Sequence, residues 1–336
     1  MLNPTKIHRT ASLMVAAFSL TALFAGPVDQ SKIAADAKWV VHLDFEALRK
    51  SKVGSHLITG LLQPKIEGNH FIKKANLSIN LTNISSLTAY GPQFEKDGEG
   101  ILLLSTTADV KKDMDTLVGM ASLSENEKKD VTMVQQKPFP LYNVKDDIFI
   151  APLTGNTVIL AKSREQIDSA RELAGGKGES LAKAQVFKDY PDAANAFILV
   201  MAKGFNDSAK IPPQAQVLRE TEGGRLAIGE KDQNLFLNLM FKGKDEESST
   251  KIQQVLQGIV ALVSMSQQNK DVTDLASATK IASEGRNVSV TLQFPTAKAI
   301  EHMDKNLKLN VKENSARLDV KTEDAEDDEK AEEAAK

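Results

Sequence analysis

His42 and Asp44 are the residues of this chain best placed to do chemistry. They stand two apart in Trp39-Val-Val-His-Leu-Asp-Phe45. A strand repeats every second residue, so both side chains project from one face while Trp39, Val41, Leu43 and Phe45 take the other. An imidazole beside a carboxylate could hold a divalent metal or divide acid and base roles. Two ligands from one strand do not make a site, however, and a hydrogen-bonded strand face accounts for the same pair. His56 and His70 fall in segments read as helical, without HExxH spacing, and His302 lies on the outer part of the last helix. His42 and Asp44 therefore stand as metal candidates only, and no residue is assigned a catalytic or cofactor-binding role.

A second stretch invites a chemical reading. RELAGGKGESL, Arg171 to Leu181, sets three glycines and a lysine beside a serine, as a phosphate-binding loop would. Such a loop follows a strand and opens a helix, so that backbone N–H groups and the helix dipole face the phosphate. Here the order is reversed. Ser163-Arg-Glu-Gln166 is a capping-box pattern that opens a helix burying Ile167, Ala170 and Leu173, and the glycines close it. Gly176-Lys177 is also followed by Gly178, which breaks the GxxxxGK[ST] pattern. The spacing thus predicts a left-handed helix cap at Gly175 and no ligand. Serine nucleophiles are no better supported, because no G-x-S-x-G elbow occurs. With no cysteine in the chain, disulfides, thiolate metal sites, cysteine nucleophiles and a lipidated cysteine are all excluded.

The elements that carry these residues recur in order. A strand at Trp39 to Phe45 heads the first part and another at Ala196 to Ala202 heads the second. Ser86 to Gly91 and Gly100 to Ser105 form a hairpin feeding a helix from Asp109 to Met120. Arg225 to Gly229 and Asn234 to Met240 do the same for a helix from Asp245 to Val263. Asn156 to Ala161 and Asn287 to Phe294 each run into a helix, with Ile167 and Ile300 as matching core positions. Agreement in order predicts an α+β protein of two related units, each a mostly antiparallel sheet covered on one face by helices. A single continuous sheet without duplication is the alternative. The units span 37–191 and 192–321, joined at the turn-rich Tyr190 to Ala194. Leu57 to Ile79 reads as an extra helical piece, Asn206 to Gln214 as a proline-interrupted loop, and Asn306 to Val320 as a last hairpin.

The two ends suggest an address. Lys6 and Arg9 precede the apolar run Ala11 to Ala25, too short for a comfortable membrane span and shaped like a secretory signal. Residues 1–25 are read as a signal peptide removed near Ala25, after which no stable membrane insertion is expected; an uncleaved anchor is the alternative. Residues 322–336 hold Glu323, Asp324, Glu326, Asp327, Asp328 and Glu329 and read as a disordered acidic tail. Net charge is −3 over 336 residues, much of it in that tail, so the body is near neutral. A near-neutral body with few aromatics and no basic stripe argues against nucleic acid as a partner.

The segments WVVHLDFEAL and GNTVILAKSREQIDSARELAGGKGESLAKAQVF, the latter followed by another apolar strand, resemble those of uncharacterised exported bacterial proteins with a duplicated α+β unit. The resemblance covers Trp39 to Ala202 best and implies an envelope or secreted location, periplasmic or extracellular; it implies no catalytic residue and no cofactor. The expectation is an exported, non-catalytic binding or interaction module for an unknown ligand or envelope protein, working at the junction of the two units. The alternatives are a metal-dependent or hydrolytic enzyme using His42 and Asp44, and a structural or assembly scaffold.

Overall fold

In strand β1 (Trp39–Asp44), Val40, His42 and Asp44 are buried while Val41 faces out and Leu43 is half-buried. This is the alternation the sequence predicts. A computed structural model describes residues 28–64, 78, 80–94, 100–122, 131–145, 147–153, 156–184, 187, 195–204, 219–265 and 270–305. Residues 1–27, the join at 190–194, the loop at 206–214, most of the piece at 57–79 and everything from 306 onward, with the expectations attached to them, lie outside these wholly or in greater part.

The remaining strands are β2 (Ile84–Gly91), β3 (Ile101–Thr106), β4 (Val131–Gln135), β5 (Leu141–Val144), β6 (Ile148–Pro152), β7 (Thr157–Ala161), β8 (Ala196–Lys203), β9 (Thr221–Lys231), β10 (Asn234–Gly243), β11 (Thr279–Glu284) and β12 (Asn287–Pro295). They form one 12-stranded sheet of order β11-β12-β10-β9-β8-β1-β2-β3-β7-β6-β5-β4, and every pairing of neighbours in it is antiparallel. The α+β class with an antiparallel sheet is therefore observed. The strands of the two stretches do not make two sheets, because β1 pairs with β8. β8 carries Phe197, Ile198, Leu199, Val200 and Met201 in succession. Such a strand needs cover on both faces and a neighbour on both edges, and β1 supplies one of those neighbours.

Two rows crossing the junction define the faces. Thr88, His42, Leu199 and Ala227 stand side by side on one face; Leu87, Leu43, Ile198, Ile228 and Leu237 stand on the other. On the His42 face, Val40, Tyr90, Leu103, Ile159 and Met201 pack with Ile33, with Ile167 and Ala170 of helix α4 (Arg164–Ala174), and with Leu181 of α5 (Leu181–Ala184). On the Leu43 face, Met114 of α3 (Val110–Ser122) packs on Tyr142 and Val131. The same face receives α1 (Phe45–Lys50), α2 (Lys52–Leu57), Leu275 of α7 (Lys270–Ser277) and Ala299 of α8 (296–305). Helices thus cover both faces in the first stretch. In the second, β12 turns Val288, Val290 and Phe294 inward while Ser289, Thr291 and Gln293 stay half-buried or exposed.

The short helices α1 and α2 tie the two stretches together. Asp44 caps α1 by accepting from Ala47 N at 2.8 Å. Ser51 closes α1 with its N–H and opens α2 by accepting from Gly54 N at 2.9 Å. α2 then lies against the far half. Val53 N donates to Glu230 Oε2 at 3.0 Å, His56 Nε2 lies 2.7 Å from Asp304 Oδ1, and Val53 packs with Phe294 and Ala299. Beyond it, α6 (Glu246–Met265) runs against β10, β11 and β12.

The glycine stretch closes α4, though not at the residue expected. Ser163 and Gln166 form the predicted capping box. At the other end Gly175 has φ −83°, and the left-handed residue is Gly176, at φ +77°. Gly176 N donates to Leu173 O at 2.9 Å and Lys177 N to Glu172 O at 2.8 Å, the paired bonds of a Schellman turn. The left-handed residue comes one position later because Gly175, the C-cap, still bonds back to Arg171 O. The turn then sends Glu179 to Leu181 alongside Ile33 to Ala35, joined by Leu181 N to Ile33 O at 2.9 Å and Ala35 N to Glu179 O at 3.0 Å. Gly176→Val is accordingly expected to lower the unfolding free energy by roughly 1–3 kcal/mol, since a β-branched residue fits positive φ poorly. Lys177→Ala is expected to change it by less than about 0.5 kcal/mol. Urea melts of the two variants check the ranking, and a larger loss for Lys177→Ala would contradict it.

Candidate functional site

His42 and Asp44 do share a face, and both are spent inside the fold. His42 is 6% exposed. Its Nδ1 lies 2.8 Å from Thr88 Oγ1 on the neighbouring strand, while Nε2 is buried with no hydrogen-bond partner among the described residues. Burial without a counter-charge pushes the imidazole down to about 4, so it is neutral at physiological pH. Asp44 is 8% exposed. Desolvation pushes its carboxyl up, opposed by the N–H groups of Ala47 and Glu46 at the start of α1. One carboxylate oxygen is therefore committed to a helix cap. Tyr90, on the same face of β2, has its hydroxyl buried without a hydrogen bond among the described residues, and burial pushes its ionisation up, aided by Asp36.

Among the described residues no group of three or more His, Asp or Glu side chains is placed to hold a metal ion. Of the other described histidines, His56 pairs with Asp304, and the His302 ring lies 5.5 Å from that of Phe294. His8 and His70 lie outside the described residues. His42 Nδ1 and the Thr88 hydroxyl meet across β1 and β2, and the Asp44 carboxylate starts the helix that locks the two stretches together. At the junction of the stretches, the expected working surface, the β1–β8 backbone ladder runs with α1 packed over it.

A different feature reaches the surface. Along the second half of α6, Val255, Ile259, Leu262 and Met265 are exposed, Leu262 to 72% and Met265 to 78%. The sequence reading placed this helix without singling out that face. The signal was there, since those residues recur at helical spacing in a segment, Ile252 to Asn269, that carries no charged side chain.

No family model and no curated protein matches the chain. Among solved structures it is similar to three crystal forms of TP0453, a Treponema protein. Form III gives a TM-score of 0.47 at 9% identity over 82% of this chain and 96% of that one. Form IV gives 0.44 at 11% over 83% and 97%, and form I gives 0.44 at 8% over 84% and 98%.

Proposed function

We propose that the protein is an exported, non-catalytic interaction module of the cell envelope or its surroundings. The observation that carries this reading is the fate of His42 and Asp44: the pair best suited to chemistry is buried and committed to Thr88 and to the α1 cap. Export rests on Lys6, Arg9 and the apolar run that follows them. We further read residues 37–191 and 192–321 as two versions of one plan. Strand order supports this, because β1-β2-β3-β7-β6 and β8-β9-β10-β12-β11 run outward from the centre with hairpins and helices in the same succession. β4 and β5 are then an addition to the first.

Two measurements test the reading. The mature chain from fractionated cells is expected outside the cytoplasm with an N-terminus near Ala25; a cytoplasmic chain beginning at Met1 overturns export. Protein purified without chelator is expected to carry no stoichiometric metal. Zinc or manganese at one equivalent, lost in His42→Ala, overturns the non-catalytic reading.

A further inference from the structure

We propose that the exposed face of α6 is a self-association surface that seats the same helix of a second copy of this chain. This deepens the reading of the protein as an interaction module and rests on it. α6 has two unlike halves. Its start is anchored: Asp245 caps it by accepting from Ser248 N at 2.7 Å, and Ser248, Ser249 and Ile252 are buried. No described residue from Gln253 to Met265 is buried, and Val255, Ile259, Leu262 and Met265 stand 42%, 46%, 72% and 78% exposed. Their spacing, with Gly258 between the first two, places all five on one stripe of the kind helices use to pair.

Three observations select a second copy as the occupant. From Ile252 to Asn269 the sequence holds no charge. A two-fold contact brings every group near its own duplicate, so a face without charges opposes no like pair. Gly258 sits on the stripe with nothing within 4 Å of where a Cβ would be. A mid-helix glycine costs about 1 kcal/mol relative to alanine, and the open space beside it admits close approach of another helix backbone. The polar positions of this half are Gln253, Gln254, Gln257 and Ser264, with no lysine or arginine. A helix that lies on an anionic lipid surface would carry basic residues there. Four large side chains and a glycine cover roughly 400 Å² per copy, about half of the ~800 Å² per partner in stable interfaces. The dimer is therefore concentration-dependent.

Sedimentation velocity of the mature chain from about 1 to 200 μM is the test. The mean mass is expected to rise from one copy towards two, and Leu262→Asp to hold it at one copy throughout. Because the chain has no cysteine, Ile259→Cys provides an independent readout. Under mild oxidation it is expected to form a covalent dimer at least tenfold faster than Gln257→Cys, which is exposed but lies off the stripe. A parent chain monomeric at every concentration, with equal crosslinking of the two cysteine variants, overturns the proposal. So does a fall in the melting temperature of the dilute monomer on Leu262→Asp, which would mean that the face is covered by this chain itself. Flotation of the parent with zwitterionic vesicles, lost in Leu262→Asp, would assign the face to lipid and overturn it too. Failure of the interaction-module reading would instead show as bound metal, a result the mass and crosslinking measurements do not depend on.

Discussion

Lowering the pH from 6.5 to 4 is expected to remove on the order of 3 kcal/mol of stability through His42 alone. The imidazole has an ordinary value of 6.5 and is held near 4 in the fold by burial. Its folded value lies below its unfolded one, so across that interval the unfolded chain binds the additional proton. The contribution is whole above 6.5, falls as the pH drops, and is gone near 4. Asp44 acts in the opposite sense, since its carboxyl is pushed up in the fold and acid relieves that cost. To isolate His42, both hydrogen-bonding partners are replaced together, as His42→Leu with Thr88→Val. Removing both leaves neither member of the pair buried without the other, so near-parental stability is expected at pH 7. The double variant should also lose roughly 3 kcal/mol less than the parent between pH 6.5 and 4. Urea unfolding at closely spaced pH values measures this, and parallel curves for the two proteins would contradict it.

Gly229→Ala is expected to cost on the order of 3 kcal/mol, the upper end of the overpacking range. Gly229 lies in β9 where its register with β8 shifts, opposite Ala196. A Cβ there would sit 2.1 Å from Asn195 O, 2.5 Å from Phe236 Cζ and 2.8 Å from Ala196 Cα. Two of those three atoms are backbone, so no rotamer change makes room, and the β8–β9 ladder itself must shift. Gly119→Ala in α3 is the matched control. Nothing lies within 4 Å of its Cβ position, and the helix is expected to gain up to about 1 kcal/mol. Thermal and urea melts should therefore move in opposite directions for the same chemical change. Equal shifts would show that the close contact at Gly229 is not what decides its effect.

Local structure was legible wherever a side chain reports on its own backbone. Ser163 and Gln166 announce a helix start because each satisfies an N–H at that start, and Val288, Val290 and Phe294 announce a buried face by their period. Lateral order was not legible. The alternation in β1 says which side chains turn inward and nothing of whether β2 and β8 or some other pair flank it. A reading built from recurring segments therefore placed the two stretches in separate sheets. Asp44 was read for its acid chemistry because His42 stands nearby; the informative neighbour was Ala47, three residues on, whose N–H makes Asp44 a helix cap. The exposed face of α6 went unremarked for another reason. Val255, Ile259 and Leu262 look the same in sequence whether they face a core or open surface, and only the arrangement of the sheet decides between those.

The contacts of α2 reach far along the chain: Val53 meets Glu230 at a separation of 177 residues and His56 meets Asp304 at 248. β1 likewise gains its β8 neighbour only after about 150 further residues have been made. At about 5–20 residues per second that is a delay of roughly 10–30 s. During synthesis, then, one edge of β1 and the apolar sides of Phe45, Leu48 and Val53 wait without the surfaces that bury them. Folding from the N-terminus cannot finish the first stretch as a unit. The chain closes late and over long distances, which slows it through loop-closure entropy and leaves an unpaired strand edge and an apolar helix face exposed until the last helix has arrived.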